Sequence, residues 1–184
     1  MILFFGPPGS GKSVQGELLV EKHHWTWLST GRMFRESSDP EVLARLATGE
    51  LIDDTLTNKV VNQALADASK DIGLSHVVMD GYPRNLKQAE WLEAHLPSHG
   101  RELRLVLVFE VPQEELLRRL SGRGRAEDVA DVIEKRLAIY HRNTTPVLDY
   151  YEKLGVPMVV IDGQGSVADV HERIQEALKS CSLA

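Results

Sequence analysis

Gly6-Pro7-Pro8-Gly9-Ser10-Gly11-Lys12-Ser13 follows directly on the apolar run Ile2-Leu3-Phe4-Phe5. The order is strand, glycine-rich turn and helix start, and the pattern G-x-x-x-x-G-K-[S/T] is that of a phosphate-binding loop. Its glycines let successive backbone N–H groups turn inward on phosphate oxygens. The lysine reaches the β and γ groups of a triphosphate, and the Ser13 hydroxyl is placed for Mg²⁺. A dinucleotide fingerprint fails on one residue: read from Gly9, G-x-G-x-x-G meets Gly11 and then Val14, where a third glycine is required.

Outward from this loop, apolar runs at residues 2–5, 77–79, 103–109 and 157–161 predict strands buried on both faces, with a fifth at 25–28. Helical patterns cover 12–23, 40–47, 55–68, 86–95, 113–120, 127–154 and 167–178. The alternation predicts an α/β P-loop NTPase: a five-stranded parallel sheet with helices on both faces and a ligand crevice outside the strand C-termini. Asp53 or Asp54 is placed to cap the helix near Thr55. Pro146, lacking an N–H, is expected to end or kink the long C-terminal stretch.

The 184 residues show no composition break, so one domain spanning 1–184 is expected. A net charge of −6 argues against a nucleic-acid surface. Cys181 is the single cysteine, which excludes an internal disulfide and a cysteine zinc cluster and suits a reducing compartment. The run at 2–5 is too short for a membrane span or a signal-peptide core. These features lead us to expect a cytoplasmic protein without nucleic-acid or membrane partners; a monomer is the expectation for its assembly, though no feature of the sequence fixes it.

A second phosphate site is legible in Val77-Val78-Met79-Asp80-Gly81-Tyr82-Pro83-Arg84. An acid at the end of a buried strand can hold a metal's water shell. Gly81 permits close ligand approach, and Arg84 offers a planar fork to a phosphate. The acidic chain also places Arg35, Arg84, Arg119, Arg123, Arg125 and Arg136 near its motif loops. Each alone reads as a solvated charge. As a set they suit two polyphosphate ligands brought together in a site that excludes water.

With these residues the chain resembles the adenylate kinase family of nucleoside monophosphate kinases nearly end to end. Asp80-Gly81-Tyr82-Pro83-Arg84 is similar to that family's D-G-[F/Y]-P-R, and Ser29-Thr30-Gly31-Arg32-Met33-Phe34-Arg35 to its S-T-G-D-[M/L]-[L/F]-R. The resemblance implies γ-phosphoryl transfer from ATP to AMP, giving two ADP, with Mg²⁺ as cofactor. Transfer to another nucleoside monophosphate, or nucleotide binding without efficient turnover, are the alternatives. It implies an AMP site of Thr30, Arg35, Glu50, Leu51, Ile52, Gly81, Arg84, Gln88, Arg125 and Arg136, with Gln88 reading the adenine edge. The ATP site would comprise Gly9, Ser10, Gly11, Lys12, Ser13, Val14, Arg119, Arg123, Gln164 and Gly165. Ser13 and Asp80 would hold the metal, partly through water, and Lys12, Arg84, Arg123, Arg125 and Arg136 would carry catalysis. The monophosphate-binding segment would run from about 29 to 58, and a short lid from about 121 to 128, with Gly122 and Gly124 as hinges.

Two departures stand out. Gly11-Lys12-Ser13-Val14 replaces the family's Gly-Lys-Gly-Thr, and Arg32 replaces an aspartate expected to help hold the metal's waters. The expectation is a positive group near Mg²⁺, compensated by Ser13. A phosphate acceptor needs no protein base, because it is already a nucleophile at neutral pH. Hydroxyl-directed kinases need an acid near the acceptor, where this chain has Arg32. Glu127, Asp128 and Asp131 read as a solvated acidic face, with Asp128 also able to hold a lid arginine. Trp25, Trp27 and Trp91 read as packing, and His23 and His24 as a helix end.

Overall fold

A computed structural model describes residues 1–70 and 76–183. Its strands are β1 (Ile2–Phe5), β2 (Thr26–Ser29), β3 (Val77–Asp80), β4 (Leu105–Glu110) and β5 (Met158–Asp162). They order as β2-β3-β1-β4-β5 and pair in parallel throughout, so this is the expected α/β P-loop fold. Nine α-helices are described: α1 (Lys12–His23), α2 (Thr30–Arg35), α3 (Pro40–Ala47), α4 (Asp54–Ala68), α5 (Leu86–His95), α6 (Gln113–Ser121), α7 (Ala130–Ile139), α8 (Thr145–Lys153) and α9 (Val167–Ser180).

Strand side chains alternate between faces, and here both faces are covered, so each strand reads as continuously apolar. Leu3, Phe5, Met79 and Val106 join one core with Val61 and Leu65 of α4, Ala89 and Leu92 of α5, and Val147 and Tyr151 of α8. Ile2, Phe4, Leu105 and Leu107 join the other with Leu19 of α1 and Ile174 and Leu178 of α9. Two small clusters stand apart. Phe34, Val42 and Ile52 knit α2 and α3 together, and Leu116, Leu120, Ile133 and Leu137 join α6 to α7.

Several boundaries differ from the sequence expectation. Strands β4 and β5 are shifted toward the C-terminus, ending at Glu110 and Asp162. Helix α2 was not anticipated; it is a short turn whose Arg32 N–H is capped by Ser29 Oγ at 3.4 Å. The stretch expected to be one helix over 127–154 is three elements, because a π-helical turn at Tyr140–Thr144 separates α7 from α8. Pro146 sits in the first turn of α8, where a missing N–H costs nothing, and its ring cannot tolerate the carbonyl four residues back. The widened turn, with Thr145 N–H bonded to Tyr140 O, accommodates it. Asp53 caps α4, its Oδ1 accepting from Thr55 and Leu56 N–H at 2.9 and 3.1 Å.

Candidate active site

The C-terminal ends of β1, β2 and β3 open onto one cavity of about 470 Å³, a size that holds small ligands. One wall is the phosphate-binding loop. Gly9 and Gly11 have φ of 86° and 95°, left-handed backbone that glycine adopts without strain. A Cβ at Gly9 would also lie 2.9 Å from Leu120 Cγ, so the loop presses directly on α6. Lys12 Nζ donates to Gly6 O at 2.7 Å, Pro7 O at 3.0 Å and Ser10 Oγ at 3.1 Å. Burial pushes the Lys12 ammonium down to about 8, against the pull of Asp80 and with Arg84, Arg136 and Arg123 adding to the fall.

Where α1 begins and β3 ends, Ser13 Oγ donates to Asp80 Oδ2 at 3.0 Å. One hydroxyl and one carboxylate, both hard oxygen donors, fit a cation such as Mg²⁺ that keeps several waters and takes its remaining oxygens from phosphates. Among the described residues no group of three or more His, Cys, Asp or Glu forms a self-sufficient cage.

The opposite surround is cationic. Arg84 Nε donates to Gly81 O at 2.7 Å, while its main chain is fixed from both sides: its N–H donates to Gln88 Oε1 at 2.7 Å and its carbonyl accepts from Thr144 Oγ1 at 3.0 Å. Burial lowers the pKa of the Arg84 guanidinium, with Asp80 opposing. Arg123 forms a two-armed pair with Asp128, at 2.8 and 2.5 Å, and Arg136 reaches the same carboxylate at 3.3 Å. Burial pushes Arg136 down to about 10, with Arg123 adding to it. Burial alone would raise the Asp128 carboxyl, but Arg123, the Arg125 N–H and Arg136 outweigh it and hold it below its ordinary value. Glu127 lies 3.7 Å from Arg35 and 4.0 Å from Arg125.

Of the residues singled out from sequence, the cavity brings together Gly9, Ser10, Gly11, Lys12, Ser13, Val14, Arg35, Glu50, Leu51, Asp80, Gly81, Arg84, Arg119, Arg123, Arg125, Arg136 and Gly165. Thr30, Ile52, Gln88 and Gln164 are not among its lining residues. Thr30 is buried and donates to Gly81 O at 2.9 Å. Ile52 belongs to the small cluster under α2 and α3. Gln164 is turned outward, its side chain on Asp162 and its carbonyl accepting from Arg173 at 2.6 Å. Arg119 is held between Glu115 and the Gly163 carbonyl, each at 2.7–2.8 Å.

Two sequence expectations need correction. Arg32 does not bring positive charge to the metal side: its Nε pairs with Glu36 at 2.9 Å, its guanidinium lies 5.9 Å over the Trp27 ring, and it does not line the cavity. The residue is on the outward side of a helix only six residues long. Nor are Glu127 and Asp128 a solvated face, since their side chains are 9% and 2% exposed; Asp131 alone fits that description. Sequence reading missed Glu115, Arg118, Tyr140 and Thr144 as lining residues. Tyr140 and Thr144 enter through the π-helical turn, whose only sequence signal is Pro146.

A phosphate-binding loop, a hydroxyl–carboxylate pair and a ring of guanidinium groups in one cavity define a P-loop phosphotransferase. The family model described as adenylate kinase matches residues 4–156. An adenylate kinase of Mycobacteroides abscessus is 38% identical, covering 96% of this chain and 98% of its own length. One from Micrococcus luteus is 39% identical over 100% of this chain and 92% of its own, and one from Prochlorococcus marinus is 38% identical over 96% of each. The chain belongs to the adenylate kinase family.

Proposed function

We propose that this chain moves the γ-phosphoryl group of ATP to AMP, reversibly, giving two ADP. The observation that carries the reading is the convergence of Lys12 and the loop amides with Arg35, Arg84, Arg123, Arg125 and Arg136 on one cavity at the carboxyl end of β1 and β3. Phosphoryl transfer is mainly positioning and charge stabilisation, and a phosphate acceptor needs no base. The amides of Gly9 to Val14 and the Lys12 ammonium hold the donor's phosphates. Arg84 and Arg35 grip the acceptor phosphate, and Arg123, Arg125 and Arg136 neutralise the group in flight. Gln88 and Thr30 read the acceptor base beside Glu50, Leu51 and Ile52. Arg119, Gln164 and Gly165 border the donor base.

Ser13 and Asp80 would hold the cofactor Mg²⁺, partly through water, and the ion would supply charge neutralisation to the donor's phosphates. Residues 29–58 form the acceptor segment and 121–128 a short lid of the one domain, folding Arg123 and Arg125 over the phosphates. The same reading makes the protein a cytoplasmic monomer with two nucleotide substrates and no nucleic-acid or membrane partner. Its net charge of −6 supports the nucleic-acid part, and no described helix is long and apolar enough to cross a membrane.

Coupled turnover of ATP against a panel of nucleoside monophosphates tests the reading. ADP formation fastest with AMP is expected. Faster turnover with another monophosphate reassigns the acceptor, and tight binding without ADP from any acceptor makes the chain a nucleotide binder.

A further inference from the structure

Gln88 is 2% exposed, and both ends of its side-chain amide are committed. Oε1 accepts from the Arg84 backbone N–H at 2.7 Å, and Nε2 donates to Asp54 Oδ1 at 2.7 Å. Asp54 Oδ1 also accepts from Asn85 Nδ2 at 2.9 Å, which ties the start of α4 to the start of α5. Asp54 is free for this because its neighbour Asp53 caps α4.

A carboxylate oxygen only accepts, and a backbone N–H only donates. Turning the Gln88 amide over would set oxygen against oxygen and N–H against N–H in a buried site, breaking two pairs at once. The amide therefore has one orientation. Each end keeps one valence, a second hydrogen on Nε2 and a second lone pair on Oε1. Adenine presents a 6-amino donor beside the N1 acceptor, whereas hypoxanthine presents a 6-oxo acceptor beside an N1–H donor. A locked amide matches one of these edges, and an amide free to turn serves both. With the phosphate end gripped by arginines, the base has no freedom to turn over and compensate.

We propose that Asp54 is the positioning residue that selects 6-amino over 6-oxo purine monophosphates, by locking the amide of Gln88. The inference rests on the reading of Gln88 as the acceptor-base reader. It assigns to Asp54 a specificity role that is separate from helix capping.

The test is kcat/KM for AMP and for inosine monophosphate, which differ only at the 6-position edge, in wild type, Asp54→Asn and Asp54→Ser. An asparagine amide can accept or donate, so Asp54→Asn releases one of the two constraints. A fall of tenfold or more in the AMP-to-IMP ratio is expected, carried mainly by KM. Damage of a merely structural kind lowers both acceptors alike, so an unchanged ratio overturns the proposal, as does a wild type that uses both acceptors equally. Asp54→Ser replaces the accept-only partner with a smaller hydroxyl that can donate or accept. It should lower the ratio several-fold, and if Asp54→Asn does not fold, an unchanged ratio in Asp54→Ser is decisive against the lock. Wild type that forms no ADP with AMP overturns the parent reading instead.

Discussion

The carboxylate of Glu127 lies 3.7 Å from the guanidinium of Arg35, so an acid from the α6–α7 connection meets a cation carried by α2 across the cleft. Its other neighbour is Arg125, at 4.0 Å. Burial and the nearby Arg125 charge both lower the pKa of Arg35, and Glu127 opposes them. If Arg35 and Arg125 grip phosphate as proposed, Glu127 holds, from within the protein, the place of that phosphate among these cations. Glu127→Gln should destabilise the ligand-free protein by about 1–3 kcal/mol, because it leaves partly buried arginines without a counter-ion. AMP should return much of that loss. Thermal unfolding with and without AMP checks this, and an equal loss in both conditions would rule out the substitution of phosphate for carboxylate.

Arg84 is positioned by three separate contacts, from Gly81, Gln88 and Thr144. Arg84→Ala should cost ~2–5 kcal/mol in kcat/KM for the acceptor if it faces phosphate as a buried charge partner. Steady-state kinetics with AMP varied at saturating ATP measure it. A near-neutral variant would remove Arg84 from the acceptor site.

Lys12 has a folded-state pKa pushed to about 8, below its ordinary value of 10.5. Between those two pH values the unfolded chain binds a proton that the folded chain releases, so ligand-free stability should rise with pH across that window. Lys12→Met lacks the titration, and wild type should gain on it as pH climbs from about 8 to 10.5. The thermal midpoints of the two proteins, compared across that range, give the result. A constant difference would show that the ammonium is not desolvated. Turnover of Lys12→Met should fall at least 100-fold on the loss of a transition-state contact to phosphate.

Arg32 is spent on Glu36 and Trp27, and its side chain is 57% exposed. Arg32→Ala should leave the Mg²⁺ concentration needed for half-maximal activity within about twofold of wild type, and the thermal midpoint essentially unchanged. Activity titrated with Mg²⁺ decides it. A large gain in metal affinity would mean that the guanidinium reaches the metal side after all.

The loop and sheet were legible because their chemistry is contiguous. A phosphate cradle needs glycines, a lysine and a hydroxyl at fixed spacing, and a strand covered on both faces must be apolar along its whole length, as Ile2–Phe5 is. The arginines were legible as a set, since an acidic chain has little reason to gather cations near motif loops. The direction of an individual side chain was not. Arg32 and Arg35 lie three residues apart on α2, yet one pairs outward with Glu36 and the other lines the cavity. Glu127 and Asp131 read alike in sequence, and only the packing of the connection against Arg35 and Arg125 buries the first. Gln88 was recognisable by resemblance, while the lock imposed by Asp54 crosses 34 residues of chain and leaves no local pattern.

The two small apolar clusters give the molecule unequal cohesion. Helices α2 and α3 rest on Phe34, Val42 and Ile52, and α6 and α7 on a similarly slight group, whereas β1 is shared by both large cores. Apart from Met33, which packs on a large core, opening either flank exposes few apolar side chains, so these flanks are expected to be the lower-energy openings of the native ensemble. Amide hydrogens there should exchange with solvent through partial excursions, while those of β1 wait for the whole chain to come apart. The rim of the cleft can therefore breathe at each turnover without disturbing the sheet that carries the phosphate cradle.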